Sequence, residues 1–518
     1  MNAVRSPHSP RSLRGSRVAL AGLAAVFLFE MLDNSVLNVA LPTIGRELQV
    51  GATGLQWVTT AYSVVFGGLM LAAGAVADRY GRRRVMLVGL VLLGMASLAT
   101  AFVTTADQLI AVRVATGIAA AMTTPGSMAL AFRLFDDDER RVRAITVIST
   151  VGLVGLAVGP TVGGLVLAVA PWQVLLLVNV PIAALAFVGI RVGVTADDPA
   201  GLHRAPVDWT GAALGTVTIV LALVAPTRFA DGGLDDWTAW AATAGAIGGG
   251  VWFAVRQRRV EHPLLDLALV ARPLVSSGLA YKAATGLAVA GLGYLVTLHL
   301  QLAWGWPPAL AAIGMLPQVA VLVAGSAFVG PFVRRVGLGH AAWSSAAAVV
   351  VGLAVYTVLG PLGYGWIALA LVLVAAGMRV VGVVAGTNVL RGLPEDRTTI
   401  GAALVDTSSE VASAVGVAIA GTVLGAVFTG SLTATPWTHA QGVAFDHAVT
   451  IGGSVLTVLA GVLVVWAMVR AGRAGTTARP SPAPRRGRSP RGTPARTSPP
   501  GRRPAAPRRH ARWSPSGS

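Results

Sequence analysis

Gly74-Ala75-Val76-Ala77-Asp78-Arg79-Tyr80-Gly81-Arg82-Arg83-Arg84 closes the second apolar run of the chain. An apolar helix stops there in a dense cluster of charge. A degraded copy, Gly330-Pro331-Phe332-Val333-Arg334-Arg335-Val336-Gly337, follows at an offset of 256 residues, from 74 to 330. The shared pattern is a glycine, three residues, a charge, an arginine, one residue and a glycine. A membrane protein whose halves repeat a loop in parallel is expected to be two related bundles about an axis along the membrane normal.

The composition agrees. The chain is 54% hydrophobic and 12% charged, whereas soluble globular chains carry about 25% charged residues. Its mean hydropathy is +0.69, so it reads as a polytopic membrane protein. With no cysteine, disulfides and thiolate metal sites are excluded. The net charge of +18 belongs to the ends: residues 1–17 hold four arginines and residues 471–518 hold twelve, with no acid in either. The tail also carries ten prolines, and such a segment cannot bury a core and is expected to be disordered. The first apolar run is long and contains Glu30 and Asp33, so it reads as a span and not as a cleavable signal.

Fourteen apolar runs are long enough to span, near 18–40, 55–77, 85–104, 107–131, 143–168, 174–193, 210–228, 238–256, 274–299, 306–330, 342–361, 365–388, 401–428 and 447–469; a helix needs about 20 residues. Helix is the form lipid permits, because hydrocarbon satisfies no backbone group. With the N-terminus inside, the inner loops and termini hold 35 of the 40 basic residues and the outer loops only Arg46 and Arg228. That asymmetry fixes topology and count together, with both termini cytoplasmic. The 256-residue offset superposes the start of span 1 on span 9, of span 3 on span 11 and of span 5 on span 13. The expected organisation is a basic arm (1–17), a six-helix bundle (18–193), two inserted helices with linkers (194–273), a second six-helix bundle (274–470) and the Arg/Pro-rich tail (471–518).

Further motifs stand in order along the chain. They are Asp33-Asn34-Ser35-Val36-Leu37-Asn38-Val39-Ala40-Leu41-Pro42 in span 1, Arg113 with Gly117 in span 4, and Gly155-Leu156-Ala157-Val158-Gly159-Pro160-Thr161-Val162-Gly163-Gly164 in span 5. Trp172 with Asn179-Val180-Pro181 opens span 6, and Asp208-Trp209 opens span 7. Together with the Gly74–Arg84 loop, these resemble the major facilitator superfamily, specifically its fourteen-helix drug:proton antiporter branch. Thr116 and Gln173 depart from that pattern, standing where glutamine and arginine are usual. The resemblance implies an all-α major facilitator fold and a secondary exporter, without enzymatic activity or cofactor, in a bacterial cell membrane. Its expected partners are protons, a small-molecule substrate and the bilayer, and it is expected to function as a monomer. It assigns proton coupling to Asp33 and Arg113, and conformational gating to Gly74, Asp78, Arg79, Gly81, Arg82, Gly155, Gly159, Pro160, Gly163 and Gly164. Physically, Asp78 can hold Arg79 or Arg82 at the inner surface, and four glycines with a proline bend a helix and admit a close neighbour.

Seven charges fall inside the spans: Glu30, Asp33, Arg113, Lys282, Arg379, Asp406 and Glu410. At about 2.5–3.5 kcal/mol each, leaving them ionised and unpaired in hydrocarbon would cost roughly 20 kcal/mol. They must pair, face a wet cavity or bind protons. Glu30 and Asp33 are three apart on one helix face, as Asp406 and Glu410 are four apart on another. The first pair reads as proton-carrying. The second resembles the acids of exporters of quaternary ammonium and other lipophilic cations, with Asp33, Glu410, Asp406, Tyr62 and Arg379 as the expected substrate contacts. Glu410 is a candidate partner for Arg379, and Lys282 is expected to snorkel to the inner face. Gln56, Trp57 and Gln301 are secondary candidates, Trp57 and Tyr62 for stacking on a flat substrate, and His299 is expected at a solvated outer rim. If Arg379 instead faces the cavity, it favours acidic or zwitterionic cargo, which makes a permease for an endogenous metabolite the alternative. A membrane scaffold or sensor acting through the basic tail is a further reading. With Lys282 the only lysine, no phosphate-binding loop is present, nor does any metal-ligand spacing stand out.

The tail's arginines favour anionic surfaces, but its prolines and single aromatic, Trp513, do not make a sequence-specific nucleic-acid reader. Deletion of residues 474–518 is therefore expected to leave transport by membrane vesicles within about twofold of the full chain, an order-of-magnitude expectation from the weak, non-specific nature of such contacts.

Overall fold

The computed structural model describes residues 13–134, 138–197, 208–261, 263–393, 398–428 and 438–477. The expectations for residues 1–12 of the basic arm and 478–518 of the tail lie outside them. Among the described residues there is no β-strand.

The first half consists of α1 (Leu13–Glu47), α2 (Ala52–Tyr80), α3 (Arg82–Ala99), α4 (Ala106–Leu134), α5 (Asp138–Leu167) and one span broken at Val178 into α6 (Gln173–Leu177) and α7 (Asn179–Gly193). The inserted pair is α8 (Trp209–Gly232) and α9 (Trp237–Arg259). After the short α10 (Leu267–Val270), the second half opens with α11 (Pro273–Leu298), which ends in a π-helical turn, His299–Ala303. One span then runs in three pieces, α12 (Pro308–Gly314), α13 (Leu316–Ala324) and α14 (Ser326–Val336). It is followed by α15 (Leu338–Leu359), α16 (Tyr364–Gly392), α17 (Thr398–Val427) and α18 (His439–Thr477). Among the described residues eleven helices are long and apolar enough to cross a membrane, and three bent pairs, each taken as one span, bring the count to fourteen. The bends have local causes. Pro160 sits in the 41° bend of α5, and Gly325 sits in the 68° bend between α13 and α14. The 51° bend of α2 falls after Met70, just beyond Gly67 and Gly68.

The loop repeat that opened the sequence is a repeat of geometry. Gly81 ends α2 at φ 101° and Gly337 ends α14 at φ 80°. Each donates its N–H to the carbonyl four residues back, Ala77 and Val333. Side-chain-bearing residues rarely adopt such a φ, so both corners require glycine.

Helix partners repeat as well. α1 lies along α5 in the first half as α11 lies along α17 in the second, and α3–α4 corresponds to α15–α16. The halves meet along two seams, α2 with α17 and α5 with α12 and α13. The inserted α8 and α9 pair with each other, and α8 leans on α2 and α17 beside the first seam. The apolar cores are distributed unevenly along the bundle axis. At one end a single core takes residues from both halves, among them Leu41, Leu55 and Trp172 with Leu298, Tyr356 and Leu424. At the other end the halves have separate cores, one around Leu23, Met86 and Ile190 and one around Tyr281, Ala342 and Val384. The bundle is sealed at the first end and divided at the second.

Asp208 ties the inserted pair together. Its Oδ1 accepts from Gly211 N at 2.8 Å, capping α8, and from Arg256 Nη2 at 2.7 Å, while its Oδ2 accepts from Gln257 Nε2 at 3.2 Å. Burial pushes the Asp208 carboxyl up, but the Arg256 and Gly211 hydrogen bonds outweigh it and hold the group below its ordinary value. A depressed carboxylate contributes stability above its unfolded pKa and loses it as the pH falls through the folded value. Asp208→Ala is expected to cost about 1–2 kcal/mol, read as a lower melting temperature of detergent-purified protein. The difference from the wild type should be full at neutral pH and shrink below about pH 4.

Candidate functional site

A cavity of about 450 Å³ lies between the halves, reached by α1, α2, α5, α11, α13, α16 and α17. This size lies within the range of small-molecule pockets, about 300–1,000 Å³. Its charged lining is Glu30, Lys282, Arg379, Asp406 and Glu410. Glu30 is 5% exposed and accepts from Thr124 Oγ1 at 3.0 Å. Glu410 shares the lining with Ser63 of α2. The acids of the first and thirteenth spans therefore open onto one chamber, with the exception of Asp33.

Asp33 does not line this cavity. It is 2% exposed, and its carboxylate is held on both oxygens: Arg113 Nη1 donates to Oδ2 at 2.5 Å and Asn179 Nδ2 donates to Oδ1 at 2.7 Å. Arg113, 1% exposed, lies 4.7 Å from the centroid of the Tyr62 ring, a cation–π contact, and Tyr62 stacks on Phe66 at 5.5 Å. This set locks α1, α4 and α7 with α2 inside the first half. Among the described residues the Arg113 Nε and Nη2 and the Tyr62 hydroxyl are buried without a hydrogen-bond partner, which is unusual for buried polar groups. The network is charge-matched but not saturated.

Several expectations change here. Tyr62 is buried against Arg113 and does not line the cavity, so the stacking role does not fit this conformation. Asp33 likewise meets Arg113 and Asn179, not a cavity-borne substrate. Arg379 faces the cavity and forms no ion pair with Glu410 among the described residues; its Nε is buried without a hydrogen-bond partner. Lys282 lines the same cavity rather than snorkelling to the surface. His299 is 1% exposed, boxed by Trp304, Tyr356 and Phe445, and is no rim residue. Gln56 joins Thr227 of α8 to Thr422 of α17, and Gln301 Nε2 donates to Val39 O at 2.9 Å across the sealed end. These two glutamines join helices. In the sequence Asn179 stands out only within a motif, and Thr124, Ser63 and Asp197 do not stand out. Their signal was a polar side chain inside or beside an apolar run, which by itself does not tell a site from a satisfied core residue.

The glycine motifs sit at close contacts. Arg82 Nε donates to Asp78 Oδ1 at 2.7 Å, while Arg79 stands 5.6 Å from the Tyr80 ring centroid. Asp197 adds an unforeseen member: its Oδ2 accepts from Arg83 N at 2.9 Å, beside Gly81, where a Cβ would come within 2.8 Å of that oxygen. In α5, Gly155, Gly159 and Gly163 face Leu28, Ser35 and Val36 of α1, whereas Gly164 faces Pro308 and Ala312 of α12 in the other half. A Cβ at Gly164 would lie 2.5 Å from Pro308 O, so only glycine lets the two halves meet there. Gly74 lies near Pro125 of α4 with more room, at 3.9 Å.

Breaking a buried ion pair costs about 3–5 kcal/mol because the surviving charge is stranded. Asp33→Asn and Arg113→Gln are each expected to lower thermal stability in detergent by an amount of that order, and the double variant to recover most of it.

Comparisons place this geometry. The Major Facilitator Superfamily model matches residues 23–417. The multidrug efflux pump LfrA of Mycolicibacterium smegmatis is 31% identical over 428 residues, covering 82% of this chain and 84% of the relative. The puromycin resistance protein pur8 of Streptomyces alboniger is 30% identical over 465 residues, covering 87% and 90%. Among solved structures, an inward-facing, unoccupied bacterial homologue of the human lysosomal transporter Spinster aligns with a TM-score of 0.62 at 16% identity over 91% of this chain and all of that one, a likeness of fold. The family match runs from the first span into the thirteenth, through both helix bundles and the cavity they enclose: the chain belongs to the Major Facilitator Superfamily.

Proposed function

We propose that this chain exports lipophilic cations in exchange for protons by alternating access. The observation that carries the reading is the meeting of carboxylates from both halves in one cavity, Glu30 from the first and Asp406 and Glu410 from the second. Ionised, they attract a cation out of a low-dielectric surround, where charge attraction far exceeds its value in water. Protonated, they lose that attraction and release it. The lipophilic part of the cargo lies against apolar neighbours such as Phe27, Met31 and Val289. Relatives described as a multidrug efflux pump and a puromycin resistance protein support export of drug-like compounds.

The arginine distribution supports a cytoplasmic divided end and an outer sealed end, so in this reading the cavity loads from within. Asp33 and Arg113 form the coupling pair in this reading. Protonation of Asp33 would free Arg113, already short of two partners, to seek another acceptor. The Asp78–Arg82 pair, with Gly74, Arg79 and Gly81, guards the inner end, and the α5 glycines set how the halves slide. An alternative is a permease for an acidic or zwitterionic metabolite, favoured by Arg379 facing the cavity without an ion pair among the described residues.

Everted vesicles with an imposed pH gradient test both. Uptake of a monocationic dye is expected to collapse on adding an uncoupler, and Glu410→Gln is expected to reduce it about tenfold or more, the scale of removing one charge contact in a low dielectric. Undiminished uptake in Glu410→Gln would overturn the cation reading, and competition by acidic metabolites but not by cations would replace it with the alternative.

A further inference from the structure

The exchange proposed above leaves Lys282, the only lysine of the chain, without a task. It is not a stray surface charge. It lines the cavity on α11, and α11 runs beside α17: Ser408 Oγ donates to Leu279 O at 3.0 Å, and a Cβ at Gly286 would lie 2.5 Å from Ser409 O. Lys282 lies between Leu279 and Gly286, so it comes level with the stretch of α17 that carries Asp406 and Glu410. Its ammonium is close enough to act electrostatically on Asp406, Glu410 and Glu30. It nevertheless forms no ion pair with them among the described residues. A compact, strongly hydrated charge on a flexible four-carbon stem can fill such a place without locking it.

The charges of the cavity then have a definite sum. Glu30, Asp406 and Glu410 supply three negative charges when ionised, and Lys282 and Arg379 supply two positive ones. Among the described lining residues there is one more acid than base. Asp33 and Arg113, behind the wall, neutralise each other. Because uncompensated charge in a membrane interior is costly, a cargo carrying one positive charge completes the cavity, and a cargo carrying two overfills it.

We propose that Lys282 sets the charge of the cargo: it is a tethered cation that takes up part of the carboxylate field and makes the cavity accept monocations in preference to dications. This rests on the reading of the chain as a cation exporter. Removing the lysine charge leaves two negative charges unmatched and turns the preference toward dications.

The experiment uses the full chain, purified and reconstituted in proteoliposomes under an imposed pH gradient, with tetraphenylphosphonium as the monocation and methyl viologen as the dication. The wild type is expected to favour tetraphenylphosphonium. Lys282→Gln should raise the methyl viologen to tetraphenylphosphonium ratio roughly ten- to thirtyfold, the effect of one unit charge several ångström away at an effective dielectric of about 20. Lys282→Arg should keep the wild-type ratio. Equilibrium binding of the two cations to the same variants in detergent reads the preference even where turnover is lost, and Lys282→Met replaces Lys282→Gln if the latter does not fold. A ratio in Lys282→Gln or Lys282→Met within about twofold of the wild type, below what one unit charge should produce, overturns the proposal. So does a shift in Lys282→Arg equal to that in Lys282→Gln, because size and not charge would then be responsible. If the wild type moves neither cation, the export reading itself fails.

Discussion

An ionised side chain inside a membrane must be paired, wetted or neutralised, and this constraint organises the protein. Seven such groups sit in its spans, and they are answered in two ways. Asp33 and Arg113 are answered within one half, by each other and by Asn179 and Tyr62. Glu30, Lys282, Arg379, Asp406 and Glu410 come together only where the two halves enclose a cavity. The first set needs nothing from outside to persist, although it keeps spare donors. The second set joins Glu30 of the first half to four groups of the second, and the polar space that receives them lies between the halves.

The same division appears in the apolar contacts. A single core joins both halves at one end, and each half keeps a core of its own at the other. Movement of one half against the other can therefore open or close an end without unpacking the interior of either half. Small residues make such movement sterically possible. Gly155, Gly159 and Gly163 bring α5 against α1 within the half, and Gly164 brings it against α12 across the seam. One short motif serves both the rigidity of a half and the fit between halves.

The readings that changed share a cause. Position along a span gives the depth of Tyr62 and His299 but not their azimuth. Tyr62 turns into the first half, under Arg113, and His299 turns inward where α11 ends in a π-helical turn. Arg379 lies deep enough to need a partner, with Glu410 a candidate, yet the helices that carry them present both to the cavity. Asp197 escaped notice because nothing in its neighbourhood of sequence links it to Gly81 and Arg83, more than a hundred residues away.

Sequence alone determined the number of spans, their helical form, the relation between the halves and the identity of the buried charges. Each of these is set by quantities that are linear along a chain: apolar length against membrane thickness, the spacing of arginines between spans and the recurrence of a glycine-bounded corner. Only the tertiary structure decided which buried charges meet one another and which meet the cavity. That depends on the rotation of each helix about its axis, which a loop connecting two spans leaves free. It is set instead by contacts between distant segments, such as Gly286 with Ser409 or Gly159 with Ser35.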